Sequence, residues 1–542
     1  MAGILHKPQR EVLPEETITR IVREDKTPWY KKPNLRLLYL ALFPACMGVE
    51  MTSGFDSQMI NIVQIVYTWN KYFGEPTGEM TDDGLPEYEI DSRLKGFLGA
   101  TYSLGAVLAL PFIPWVNQKV GRRWTIMFGS LISVVGSILQ GLSNGVGMYI
   151  VARMVLGFGI PFCIVAASAL IGELGHPKER PIMTSLFNSS YFIGQIVSAS
   201  VGLGTVTITN DWAWRLPSLL QICPALVQIC TIFFVPESPR YLVSKDRYDE
   251  AYAILAKYHA EGDMSSAFVR AEMAQIEKTI KLEQEAAKQN WSDMFNTAGM
   301  RRRMIIAAGL GLFTQWSGNT LISYYLSDIL DMVGIKDAVV KSKINIGIAC
   351  WSLLNATTIA LLSPRFRRRP TYITCVCSLL CVYISWTICT ERYMSTESQG
   401  AGIGSIVFMF LYSPCYNIGY NALTYTYLVE LFPYMQRSRG LTWFQLFGRG
   451  ATFFATYVNP IGLANIQWRW LVVYCAWLGF ELVFIFFLFP ETYGRTLEEL
   501  SFLFEGDKAH QVAAVAQKQL VGDGSKDETL HVETIAEKKS SV

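Results

Sequence analysis

The sequence predicts an all-α membrane protein of twelve transmembrane helices, arranged as two related six-helix halves. Three observations carry this. Half of the residues are apolar (51%), 13% are aromatic and only 17% are charged, against roughly 25% charged in soluble domains. The apolar residues fall in blocks of about 20, the length an α-helix needs to cross a ~30 Å hydrocarbon core. Three short polar strings also recur, in the same order, about 250 residues apart.

Taken in order, the spans are expected at 37–64, 96–116, 124–143, 147–171, 184–206, 215–235, 304–330, 344–363, 372–389, 402–429, 441–462 and 470–489. Backbone polar groups in lipid must be satisfied internally, and runs this long without period-2 alternation exclude a barrel. The first stretch is polar (Arg10, Glu11, Glu15, Glu16, Arg20) and shows no signal peptide, so the first span is expected to act as its own insertion signal. Lys31, Lys32 and Arg36, then Lys119, Arg122 and Arg123, then Arg301–Arg303, then Arg365 and Arg367–Arg369 all fall on one side. The opposite side carries the acidic 67–93 loop (Glu75, Glu79, Asp82, Asp83, Glu87, Glu89, Asp91). Both termini are therefore expected in the cytoplasm. The expected organisation is a cytoplasmic segment 1–36, a half at 37–235, a cytoplasmic linker with short helices at 236–303, a second half at 304–489, and a cytoplasmic tail 490–542, disordered toward its end.

The net charge of +2 averages two oppositely biased faces. The eleven cysteines, among them Cys375, Cys377, Cys381 and Cys389 within one span, show neither metal-ligand spacing nor a disulfide pattern and read as small packing residues. The sequence shows no cofactor loop, metal cluster or nucleophile–base arrangement, so neither an enzyme nor a nucleic-acid binder is expected. No histidine lies inside an expected span, which excludes a histidine proton relay.

The recurring strings are specific. Val120-Gly-Arg-Arg123 is echoed by the Arg365–Arg369 cluster. Glu173-Leu-Gly-His-Pro-Lys-Glu-Arg180 is echoed by Glu430-Leu-Phe-Pro…Arg437-Ser-Arg439. Pro236-Glu-Ser-Pro-Arg-Tyr-Leu242 is echoed by Pro490-Glu-Thr-Tyr-Gly-Arg-Thr-Leu497. Three repeats in register mean two homologous halves, the parallel-repeat plan of the major facilitator fold. With Gly54-Phe-Asp56, Arg153-Met-Val-Leu-Gly157-Phe-Gly159 and Gln315-Trp-Ser-Gly-Asn319…Tyr324-Tyr325, the chain resembles the sugar porter family of the major facilitator superfamily over roughly 35–505. Phe187-Asn188…Gly194 and Val458-Asn-Pro-Ile-Gly-Leu463 look most like fungal lactose and cellobiose-type permeases. Gln118 replaces the acid that usually precedes Gly-Arg-Arg, and Thr314 replaces one of a glutamine pair. Asn417 and Tyr425 stand where hexose carriers have an acid and a tryptophan. The resemblance implies transport of a small neutral sugar across a plasma membrane by a multi-pass carrier, expected to work as a monomer.

A sugar is neutral and covered in hydroxyls, so binding it calls for amides, which donate and accept together, and for aromatic rings over its C–H face. Polar side chains in mid-membrane are costly unless they face a cavity or a partner. The candidate contacts are Asn188 and Gln195 in span 5, and Gln315, Ser317, Asn319, Tyr324 and Tyr325 in span 7. Span 8 adds Asn355, and span 10 adds Asn417, Tyr420, Asn421 and Tyr425. The bland alternative for any one of them is an interhelical hydrogen bond. Gly54, Gly157, Gly159, Gly194 and Gly318 are expected to permit close helix approach or bending.

Asp56 and Arg153 both fall in the outer halves of their spans. In proton-driven members of the family such a pair is the coupling element, with Glu50 a weaker alternative proton carrier. Passive facilitation, a polyol cargo and, less favoured, a transporter-like sensor are the competing expectations. Arg449 and Glu481 lie at equal depths of ~12–13 Å on consecutive antiparallel helices, which predicts a structural ion pair. The charged strings supply a candidate cytoplasmic gate network of Arg122, Arg123, Glu173, Arg180, Glu237, Glu430, Arg437, Glu491 and Arg495. It is expected to form when the inside is shut and to break when it opens.

Overall fold

The structure, a computed structural model, describes residues 27–80, 86–287, 291–362, 365–432 and 436–493. Twelve long helical segments run in order through the described residues. The first half has Pro33–Ile65, Ser92–Val120, Arg122–Gly141, Val146–Leu174, Arg180–Thr205 and Trp212–Phe234. The second has 298–332, Ala338–Leu362, Arg368–Thr396, Gln399–Leu431, Arg437–Ile466 and Arg469–Leu488. We number them spans 1–12. Eight are long and apolar enough to cross a membrane by themselves, and span 2 passes as a pair bent by 55°. The bend follows Leu110-Pro111 at the junction of Ser92–Ala109 and Phe112–Val120, as a proline that interrupts the ladder dictates. Spans 5, 7 and 11 are more polar, because they carry the amides and Arg449 that face the interior.

Breaks in the helices sit where the sequence demands them. Pro33 opens span 1 at a position where its missing N–H costs nothing, and a π-turn at Phe43–Met47 follows around Pro44. Span 7, expected as one run over 304–330, is two helices, Ala298–Trp316 and Asn319–Met332, joined at Gly318 in the left-handed region (φ 96°). A side chain there would strike the Tyr383 ring, so only glycine fits. Span 10 unwinds into a π-turn at Asn417–Asn421, after Pro414. Gly54 and Gly194 seat spans 1 and 5 against each other's backbones, and Gly105 and Gly157 do the same for spans 2 and 4.

Between spans 1 and 2, the acidic loop holds a short helix, Tyr67–Phe73, and a hairpin. Strand Glu75–Met80 runs antiparallel to Pro86–Glu89, pairing Glu75 with Glu89 and Pro76 with Tyr88. Phe73 anchors it by edge contacts to Tyr149 and Trp214, at 5.2 and 5.6 Å. At the other end of the molecule, the stretch between spans 6 and 7 carries helices Pro239–Ser244, Tyr248–His259, Ala267–Ala287 and Asp293–Asn296. These two landmarks name the hairpin end and the linker end.

The cores of the two halves are joined unequally. At the hairpin end one continuous apolar cluster includes Met59, Val63, Trp69 and Leu98 of the first half together with Leu326, Ile329 and Leu463 of the second. A separate cluster of the first half alone (Leu38, Leu42, Leu170, Ile171, Val235) lies toward the linker end.

Candidate functional site

A cavity of about 320 Å³ lies between the halves, within the size range of small-molecule sites. Spans 1, 2, 4 and 5 line it from one half and spans 7, 8, 10 and 11 from the other; spans 3, 6, 9 and 12 contribute nothing. Its walls are the amides and rings that a sugar requires. Gln58, Asn188, Gln195, Gln315, Asn319, Asn345, Asn417, Asn421 and Gln445 supply amides, while Tyr102, Tyr191, Tyr324, Tyr412, Tyr416, Tyr420 and Tyr425 supply rings. Among the described residues the amides of Asn188, Gln195, Gln315, Asn345 and Asn421 make no hydrogen bond, which leaves their donors and acceptors for a ligand.

Of the expected contacts, eight line the cavity along with Gln195: Asn188, Gln315, Asn319, Tyr324, Asn417, Tyr420, Asn421 and Tyr425. Three do not. Ser317 is fully buried and donates to the Glu481 carboxylate at 2.9 Å. Tyr325 is fully buried and donates to the carbonyl of Thr456 at 2.5 Å, because the kink at its own residue turns the ring outward to span 11. Asn355 stands behind the wall, donating to Trp351 O (2.7 Å) and Ser413 Oγ (3.1 Å) and bonded to Asn417. It orients Asn417 rather than facing the cavity.

The sequence reading missed Gln58, Tyr102, Tyr191, Asn345, Tyr412, Tyr416 and Gln445. A periodic signal was present for several of them. In span 10, Tyr412, Tyr416, Tyr420 and Thr424 follow one another at four-residue steps, and so do Ser413, Asn417, Asn421 and Tyr425. Such steps place side chains on one helix face. Asn188 and Phe192, and Tyr191 and Gln195, make the same four-residue step in span 5.

Asp56 and Arg153 are paired at 3.1 Å with both side chains essentially unexposed. Gln221 of span 6 donates to the same Asp56 oxygen at 3.2 Å, and the Arg153 guanidinium lies 5.5 Å from the centre of the Tyr102 ring. Since Tyr102 lines the cavity, the pair sits one side chain behind the wall. The second expected pair does not form. Glu481 accepts from Ser317 and from Tyr420 (2.7 Å), whereas Arg449 faces the cavity. Equal depth left the rotation about each helix axis free, and that rotation separates the two.

At the linker end the two halves repeat one device. Arg122 pairs with Glu173 at 3.2 Å and Arg368 with Glu430 at 2.8 Å. The Glu237 carboxylate accepts from the backbone N–H groups of Arg122 (3.0 Å) and Arg123 (3.3 Å), and Glu491 accepts from those of Arg368 (3.0 Å) and Arg369 (3.3 Å). Each glutamate thus satisfies orphan donors at the start of span 3 or 9, where the helix dipole also favours an anion. Ser238 and Thr492 complete the network on Glu173 and Glu430. Arg180 reaches Glu272 of the linker at 3.6 Å. Arg437 opens span 11, and Arg495 lies outside the described residues. Each of these glutamate–arginine bonds stays within one half or joins it to the linker. All are made while the cavity is open to the linker end, where Asn188 and Tyr425 are exposed and the hairpin-side lining, Ile322, Tyr324 and Leu326, is buried. The expectation that these bonds break when that end opens is therefore corrected: they brace each half.

The model of the family described as "Sugar (and other) transporter" matches residues 41–504. The chain belongs to this sugar transporter family. As a sugar porter of the major facilitator superfamily it is similar to a high-affinity glucose transporter of Kluyveromyces lactis, 25% identical over 89% of this chain and 88% of that protein. An MFS-type transporter of Aspergillus cristatus is 25% identical over 80% of this chain and 90% of that one. The inward-open xylose transporter XylE from E. coli shares the fold, with a TM-score of 0.70 at 19% identity over 86% of this chain and all of that one.

Proposed function

We propose that this sugar transporter works by alternating access as a proton-coupled symporter for a mono- or disaccharide, in the plasma membrane, with linker and termini on the cytoplasmic side. The observation that carries the reading is the inter-half cavity, whose polar wall is dominated by amides and tyrosines. Such a wall suits a neutral polyhydroxylated ligand and little else. The glucose and xylose of its relatives have this chemistry.

Coupling rests on the buried pair behind Tyr102. A sugar that presses on Tyr102 alters the environment of Arg153 and, through it, the proton affinity of Asp56. Cargo and proton then favour the same conformation, and each raises the affinity of the other. The orientation follows from the arginines at the starts of spans 3, 7 and 9, all at the linker end. Uptake of labelled hexoses, pentoses and β-linked disaccharides into cells making the full chain, with external pH recorded, tests the reading. Saturable uptake with alkalinisation of the medium is expected. Saturable uptake without alkalinisation identifies a facilitator, and no uptake of any sugar rejects the cargo class.

A further inference from the structure

Glu50 and Arg449 are the two charged side chains that line the cavity among the described residues. One belongs to span 1 of the first half and the other to span 11 of the second. Neither makes a hydrogen bond or an ion pair within the described residues. Tyr425, which lines the same cavity, accepts from Gln445 at 2.8 Å. An ionisable side chain at mid-membrane depth is rare and marks a functional site, facing a cavity or a partner. A carboxylate and a guanidinium facing one cavity from opposite walls, each without a partner, therefore point to a ligand between them.

We propose that the two clamp the cargo: adjacent hydroxyls of one bound sugar bridge the Glu50 carboxylate and the Arg449 guanidinium, and this bridge draws the linker end shut. The chemistry matches on both sides. A guanidinium fork donates two parallel N–H bonds to neighbouring hydroxyl oxygens, while a carboxylate, acceptor only, takes two O–H bonds. Bonds to ionised groups are about twice as strong as those to amides. Each half supplies one charge, so both bonds are made only when the halves come together. The cargo then binds the closed form more tightly than the open one, which is the condition for a ligand to drive closure. The amides of spans 5, 7 and 10 orient the sugar, and the charged pair ties its binding to the movement. This assignment rests on a sugar being the cargo.

The test uses the full chain in proteoliposomes, its best-transported sugar, and the monodeoxy analogues of that sugar. Glu50→Gln and Arg449→Gln are each expected to raise KM about tenfold or more. Removing the hydroxyl that Arg449 holds should cost the parent about tenfold and cost Arg449→Gln almost nothing further. Arg449→Lys keeps the charge and the stem but loses the fork, so it serves if the glutamine variant fails to fold, and a raised KM at unchanged melting temperature is expected. A parent that transports while these variants keep its KM, or deoxy penalties that add in full to the variant's at every hydroxyl, overturns the clamp alone. A parent that takes up no sugar overturns the cargo reading and the clamp with it.

Discussion

The two ends of the interface between the halves are built on opposite principles. At the hairpin end the halves are bonded to each other. Asn61 of span 1 donates to Ser323 O at 2.6 Å and accepts from Leu326 N at 3.1 Å, and Lys95 of span 2 pairs with Asp328 of span 7 at 2.5 Å. One apolar cluster runs through both halves there. At the linker end the strong bonds brace each half internally. The contrast separates contacts that hold each half together from contacts that join the two halves. On the alternating-access reading, bonds within a half set its stability, whereas bonds between halves set the balance of conformations and have to be weak enough to break.

The sharpest way to probe the braces is the buried linker pair, in which His259 Nδ1 meets Glu272 at 2.7 Å and His259 Nε2 meets the carbonyl of Leu174 at 3.1 Å. Removing one partner of a buried ion pair costs about 3–5 kcal/mol, so Glu272→Ala should lower the melting temperature in detergent markedly while leaving the hairpin end shut. The pair also fixes a pH dependence. Burial disfavours the His259 imidazolium, but the Glu272 carboxylate and the Leu174 carbonyl together outweigh it and raise its pKa, and His259 with Arg180 holds Glu272 below its usual range despite burial. With His259 raised, its contribution is fully present below the unfolded value of about 6.5 and is lost as pH rises through the raised one. The contribution of Glu272, lowered, is present above about 4.3 and is lost as pH falls through its own value. Protease cleavage near the linker helices should therefore accelerate on alkalinisation, and this dependence should flatten in His259→Gln.

Glu430→Ala comes next. It leaves Arg368, 8% exposed, without its carboxylate and should cost about 1.5–3 kcal/mol, again without changing the conformational balance. Asn61→Ala should do the reverse. Losing its inter-half bonds is worth about 1–3 kcal/mol, seen as faster labelling from the hairpin side of a cysteine at Ser323, with little change in melting temperature. Lys95→Ala is the mildest: the pair is about one-fifth exposed on each side, so about 0.2–1 kcal/mol is expected, and the effect should shrink in high salt.

Much of this was legible in the chain. The blocks of apolar residues located the helix ends to within seven residues, because lipid enforces helix length and backbone satisfaction. The repeated strings located both bracing networks, though not that Arg368 plays the part of Arg122. What escaped was azimuth. Depth along a helix is a sum of residues, but which way a side chain points depends on local breaks such as Gly318 and the kink at Tyr325. For that reason the sequence alone puts Ser317 and Tyr325 in the cavity and pairs Arg449 with Glu481. The hairpin at 75–89 escaped because its strands are short and mostly exposed, with no alternation to mark them.

Coupling of a proton on buried Asp56 to a sugar held between the halves is decided by Asp56→Asn in proteoliposomes with an imposed pH gradient. Accumulation of the sugar against its gradient should be lost while exchange of internal for external sugar persists, since the cavity itself is untouched. Accumulation that survives in Asp56→Asn, with its pH dependence intact, would contradict the coupling.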